Sequence, residues 1–246
     1  MSKIVDRTLD FLELFEKEKR PLSLSEISRL LTIPVSSCHD VLAALQDRGF
    51  IYEVSPRGGY YPTLRLHEAG KTIAENDPLL LRADHLLREF RDSINESVLL
   101  TKVNGLRGTY LLVFETAHPL RFQKKIGESL TSLHATSAGN AILGSLPDQT
   151  LEATLAKLDL TGFTPKTVRN RASLREKISR GRDEGFYVNV NESIDGLTTI
   201  SAPFTWQQSL YIVTIAAPTS RFQSRIPEAA AKLMEVCRKL EMKTLR

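Results

Sequence analysis

The sequence predicts an α+β protein with two domains. A winged helix-turn-helix domain is expected over residues 1–76, a linker helix over 77–95, and a C-terminal domain with a central antiparallel sheet over 96–246. Three observations carry this. LSLSEISRLLTIPVSSCHDVLAALQDRGFIYE, at 22–53, reads as helix, tight turn, helix and the first strand of a β-ribbon. SLHATSAGNAILGSLP, at 132–147, is a polar loop that opens a helix inside a strand-rich half. After residue 96, strands and helices alternate with mostly short connections, which is the pattern of an α+β layer.

Residues 4–17 place Val5, Leu9, Leu12 and Phe15 near helical spacing, so the chain opens on an amphipathic helix. Ser23 and Glu26 have the S-x-x-E spacing of a capping box, which starts a second helix with Ile27, Leu30 and Leu31 as its buried stripe. Thr32, Ile33 and Pro34 form the turn. A third helix follows, with Val35, Cys38, Val41, Leu42 and Leu45 facing inward, and Gly49 stands where a helix stops. Residues 50–54 and 60–63 read as two strands around the turn SPRGG, the wing.

A long helix is expected from Asp77-Pro78, with Leu79, Ala83, Leu86 and Phe90 as one stripe, widened by Leu80 and Leu87. Beyond it, SVLLTKV and GTYLLVFE read as strands joined near Asn104-Gly105, and RFQKKI as a third. Residues 135–146 and 173–184 read as helices. FYVNV, LTTISAPF and SLYIVTIAAP are further strands, and 227–245 is a closing helix.

Composition bounds the function. Among 246 residues, 41% are hydrophobic, enough for real cores, and 25% are charged, ordinary for a globular chain. No apolar run reaches the ~18 residues of a spanning helix, and the charged start is not a secretory leader. Neither a membrane nor a secreted setting is expected. Two cysteines cannot build a disulfide framework, and a cytoplasmic, reducing compartment fits. Net charge is +4, mildly favourable to an anionic partner. Residues 1–75 nevertheless hold ten Lys/Arg against eleven Asp/Glu. Any grip on phosphate must then come from local placement, helix N-termini and doubling in a dimer.

A helix that reads DNA needs one buried face and one short, polar face. Ser36, Ser37, His39, Asp40, Ala43 and Gln46 form the outward set of the third helix. Ser36 and Ser37 lie in the first turn, where side chains and backbone N–H groups meet phosphates. His39 and Gln46 can bond to bases, and Asp40 can accept from a cytosine amine or pair with an arginine. Ser25 and Arg29 on the second helix are further DNA candidates, as is Arg57 at the wing tip, aimed at a minor groove. This polar face argues against a protein-interaction module. An enzyme is equally unsupported: the five histidines, at 39, 67, 85, 118 and 134, have no HxxxH or HExxH spacing, and G-x-S-x-G, Walker and Cys-His metal patterns are absent. No catalytic residue, metal or cofactor is expected.

Four stretches together resemble the IclR family of bacterial transcription regulators: VDRTLDFLELF, the helix-turn-helix with its Pro-x-Ser-Ser start, SLHATSAGNAILGSLP, and EGFYVNVNESIDGLTTISAPF with its Ile-x-Ala-Pro run. The resemblance covers nearly the whole chain. It implies a winged-helix domain joined to a GAF-like effector domain, assembled as a dimer or dimer of dimers on a palindromic operator in double-stranded DNA. The implied effector is a small organic molecule, often a carboxylate or aromatic acid. Carried over by position, its cup is lined by Leu133, His134, Ala135, Thr136, Ser137, Ala138, Gly139, Asn189, Thr199 and Thr214. Ser137, Ala138 and Gly139 also fall at a loop-to-helix junction, where free N–H groups attract anions. Two positions depart from the pattern. Asp40 stands where relatives usually have Arg, and Asn140 where they have Lys. Asn189 replaces an Asp common among relatives, and its amide tolerates an anion better.

Overall fold

The computed structural model describes residues 3–56 and 58–242. Arg57, the expected wing tip, and the last residues of the expected closing helix lie outside the described residues. The chain divides into two compact units, Met1–Asp77 and Pro78–Arg246.

The first unit runs α1 (Lys3–Glu18), α2 (Leu24–Leu31), α3 (Val35–Asp47), β1 (Ile51–Glu53), β2 (Tyr60–Pro62) and α4 (Arg65–Glu75). The capping box is complete: Ser23 Oγ accepts from the Glu26 N–H, and Glu26 accepts from the Ser23 N–H at 2.9 Å. The Ser23 N–H and the Ser23 hydroxyl, both donating to the carboxylate, with the Arg20 guanidinium, hold the Glu26 carboxyl down at about 2. Thr32 turns α2 through the left-handed region at φ 56°, and Gly49 ends the α3 region at φ 72°, a conformation that costs a side-chain-bearing residue energy. β1 and β2 pair antiparallel, Ile51 opposite Pro62, and Leu22 bridges to Tyr60.

Phe11, Leu14, Phe15, Leu22, Ile27, Cys38, Leu42 and Ile51 form this unit's core. The buried face of α1 is therefore one notch round from the expected stripe. Val5 and Leu9 are exposed, because Phe11, Leu14 and Phe15 already fill the contact with α2 and α3. Leu30 and Val35, expected inside, are also on the surface. α4 was not anticipated; it buries no residue, so its pattern carried little signal.

The second unit holds α5 (Pro78–Ile94), β3 (Ser97–Asn104), β4 (Arg107–Phe114), α6 (Ser137–Gly144), α7 (Asp148–Lys157), α8 (Arg171–Glu184), β5 (Tyr187–Val190), β6 (Leu197–Trp206), β7 (Ser209–Pro218), α9 (Thr219–Phe222) and α10 (Ile226–Glu241). Its sheet is antiparallel throughout, in the order β4-β3-β7-β6-β5. Both faces are covered, so β7 is a near-continuous apolar run. Alternation sorts the side chains. Val98, Leu100, Ile200, Ala202, Val213 and Ile215 pack with α5 and α10. Leu99, Thr199, Ser201, Ile212 and Thr214 point to the other face, where α6 lies. The expected linker helix, α5, buries Leu79, Ala83, Leu87, Phe90 and Ile94 in this unit's core.

RFQKKI is not a strand. Residues 121–126 are irregular, and β4 is met instead by the bridge from Thr109 to Ser129 and by bonds between Tyr110 and residues 127 and 128. α7 was also not anticipated. Both cysteines are buried: Cys38 Sγ donates to Ile33 O at 3.7 Å and Cys237 Sγ to Ala202 O at 3.6 Å. Burial pushes both thiols up from their ordinary value. Among the described residues, no helix is long and apolar enough to cross a membrane.

Candidate functional site

In the first unit the polar face of α3 is open. Ser36, His39, Asp40, Ala43 and Gln46 are exposed and Ser37 is half-buried; on α2, Ser25 and Arg29 are exposed. His39 Nδ1 lies 3.9 Å from Asp40 Oδ1, a loose surface pair. The N-cap of α3 is Pro34, which supplies no side-chain bond, and its first turn holds no acid. The N–H groups of that turn therefore face outward unmet by any cap, which is how a helix start receives phosphate. Val35, expected inside, adds an exposed apolar group in the same turn.

In the second unit a cavity of about 190 Å³ lies between the sheet and the start of α6. Of the ten residues expected to line a cup, Thr136, Ser137, Ala138, Thr199 and Thr214 do so. The other five have different places. Leu133 and His134 line a neighbouring cleft of about 440 Å³. The His134 ring is held at both nitrogens, Nδ1 3.0 Å from Ser132 Oγ and Nε2 3.0 Å from Thr161 O. A carbonyl only accepts, so Nε2 donates. Asn189, 1% exposed, donates to Ala135 O at 2.7 Å and accepts from the Glu192 N–H at 3.3 Å, tying β5 to the 132–136 loop. Gly139 packs against the loop backbone: a Cβ there would sit 2.4 Å from Ser132 O.

Asn140, at the position that departs from the family pattern, is fully buried and fastens the same loop. Its Nδ2 donates to Leu133 O at 3.0 Å and His134 O at 2.9 Å. Turning the amide over would set Oδ1 against two carbonyls, so the orientation is fixed. Asn140→Ala leaves both carbonyls short of a donor, and we expect a loss of about 1–3 kcal/mol, read by chemical denaturation of the intact chain.

The rest of the cavity wall comes from residues that sequence reasoning passed over: Leu99, Tyr110, Phe122, Lys124, Leu130, Phe163, Ile194 and Leu197 among them. Phe122 and Lys124 lie two apart, with the exposed Gln123 between them. That alternation produced the strand-like signal of RFQKKI; it reflects a cavity on one side and solvent on the other, not a sheet. Burial, then the Glu128 charge, pushes the Tyr110 hydroxyl up to about 12, so it stays neutral.

A helix-turn-helix with an open reading face, in a chain whose second unit encloses a small cavity, defines a transcription regulator with an effector domain. Residues 4–55 match the IclR helix-turn-helix domain, and residues 71–242 match the bacterial transcriptional regulator IclR C-terminal domain. The chain belongs to the IclR family. It is 26% identical over 225 residues to the HTH-type transcriptional regulator XynR of Escherichia coli (strain K12), covering 92% of this chain and 88% of that one. Its fold is that of the IclR of Thermotoga maritima (TM-score 0.81, 22% identity, 96% of each chain). It is also that of an IclR homologue from Microbacterium hydrocarbonoxydans, solved in complex with 4-hydroxybenzoate (TM-score 0.75, 19% identity, 97% of this chain and 98% of that one). The families and relatives are regulators, not enzymes.

Proposed function

We propose that this protein binds a two-fold symmetric operator as a dimer or dimer of dimers in the cytoplasm, and that a small organic acid in the 190 Å³ cavity changes that binding. The observation that carries the ligand class is the cavity lining. Its walls are mainly apolar and aromatic, its floor carries hydroxyls at the N-terminus of α6, and Lys124 is the one charged side chain among the described lining residues. Such a space favours a compact, apolar-bodied monoanion. The complex of the Microbacterium hydrocarbonoxydans homologue supports the same class.

Contacts to DNA fall to Ser36, Ser37, His39 and Gln46 of α3, with Ser25 and Arg29 of α2. Asp40 is placed to pair with a base amine or a neighbouring cation. The residue count over 1–75 gives no net positive charge, so affinity rests on doubling the reading helix. The exposed apolar stripe of Ile4, Val5 and Leu9 supports self-association of this unit.

The test is fluorescence anisotropy of the intact protein with DNA from upstream of its own gene. We expect tight binding that falls steeply with added salt and shifts at least ~3-fold when 4-hydroxybenzoate is present. Salt-insensitive or sequence-blind binding would defeat the operator reading. An unchanged affinity with that probe and with benzoate would defeat the ligand class.

A further inference from the structure

The sheet of the second unit does not treat its edges alike. Backbone bonds of β6 alternate between its two neighbours. The Asn191 N–H donates to Leu197 O at 2.8 Å, and the Thr219 N–H donates to Gly196 O at 2.7 Å. With Asn189 opposite Thr199 and Thr198 opposite Ala217, the odd-numbered residues of β6 bond towards β5 and the even-numbered ones towards β7. Tyr187 and Asn189 therefore bond to β6, while Val188 and Val190, both half-buried, send N–H and C=O outward. Where β6 runs on past β5, its edge is closed. Pro203 has no N–H, and the Thr205 N–H donates to Glu241 Oε1 at 2.8 Å. On the opposite edge of the sheet, the Tyr110 N–H donates to Glu128 O at 3.0 Å and Gly108 O accepts from the Leu130 N–H at 2.9 Å. β5 has no such cover. Among the described residues, none bonds to the outward groups of Val188 and Val190.

Beside this edge lies a trough of about 470 Å³ between β5 and α8. Phe186, Tyr187 and Val188 all line it. Successive side chains of a strand leave on opposite faces, so the edge of the strand forms this wall. The other wall is one face of α8, from Ser173 to Glu184. That face is about 16 Å long, the reach of about five extended residues. Glu192 also lines the trough and is 8% exposed; its Oε1 pairs with Lys177. Its Oε2 is buried with no hydrogen-bond partner. A buried carboxylate oxygen without a donor is costly, so the trough is short of a donor at this point. Of the other charged groups, Arg180 lies 3.5 Å from Glu176, and Glu184 is exposed. The lining carries three acids against two bases. No residue of the trough lines the cavity.

We propose that the trough is a docking site for an extended segment of another protein, which adds to the sheet as a strand on β5 and sends a basic side chain to Glu192. The open edge supplies main-chain bonds to Val188 and Val190, and the free carboxylate oxygen selects the charge. A strand lying between a sheet edge and a helix needs this pairing of walls.

The experiment is fluorescence anisotropy of the intact protein with dye-labelled, end-blocked peptides, Thr-Val-Thr-Arg-Thr-Val-Thr and its counterpart with Glu in place of Arg. We expect the arginine peptide to bind at least ~10-fold more tightly. It should slow amide exchange at Val188 and Val190 by at least ~10-fold. N-methylating the peptide backbone removes its donors and should abolish binding. Glu192→Gln, checked for a wild-type melting curve, should erase the preference for arginine while the peptide still protects Val188 and Val190. If that variant does not fold, the peptide comparisons on the wild type decide. Equal binding of the arginine and glutamate peptides would overturn the role of Glu192. Binding that survives N-methylation, or leaves both valine amides unprotected, would overturn strand addition. Acetyl-arginine-amide binding as tightly as the arginine peptide would make the trough a small-cation site instead and overturn the proposal. So would no binding of either peptide up to ~1 mM.

Discussion

Gly139→Ala is expected to abolish binding of 4-hydroxybenzoate and to destabilise the second unit by about 3 kcal/mol. The reason is space. The backbone at Gly139 is ordinary helix, so alanine fits the conformation, but its methyl would stand 2.4 Å from Ser132 O and 2.5 Å from Leu133 O. Those atoms are backbone and cannot swing aside. Either α6 moves off the 132–136 loop or the loop leaves its place, and both displace Ser137 from Thr199 and Ser201. Thermal unfolding and probe titration on the same preparation check the two halves of the expectation. A variant that melts and binds like wild type would show that the loop yields at no cost.

Ser36→Asp separates folding from DNA binding. α3 has no side-chain cap and no acid in its first turn. An aspartate there should therefore stabilise the helix by about 0.3–1 kcal/mol through the dipole. On DNA the same carboxylate would face phosphate, and like charges brought together cost several kcal/mol. We expect operator affinity to fall about 100-fold while the melting temperature holds or rises. Anisotropy and calorimetry together read this. Undiminished operator binding would remove the start of α3 from the interface.

The helix-turn-helix was legible because each boundary has a local chemical mark: the Ser23–Glu26 box, the Thr32-Ile33-Pro34 turn, the glycine after Arg48. The strands of the sheet were legible from length and apolar content. What failed was what depends on neighbours. Val5 and Leu9 are apolar at helical spacing, yet Phe11, Leu14 and Phe15 took the core, since periodicity fixes a face only to within a residue or so. RFQKKI alternates because a cavity, not a paired strand, lies beneath it. Half of the expected cup came out on the cavity because strand alternation and the helix start fix Thr199, Thr214 and Ser137. Asn189 and Asn140 went into holding the loop instead, through bonds to carbonyls far along the chain. Lys124 was hidden because a lysine in a basic run looks like solvated surface.

The burial of both cysteines has a practical side. The thiolate is the form that peroxide, heavy metals and maleimides attack, and neither sulfur is accessible or easily ionised. The chain should keep its response under oxidative stress and be silent to thiol dyes while native. A single cysteine introduced on the exposed face of α3 would then be the one site that takes a fluorophore. Such a label would report directly, in an otherwise native molecule, how the reading helix responds when the cavity fills.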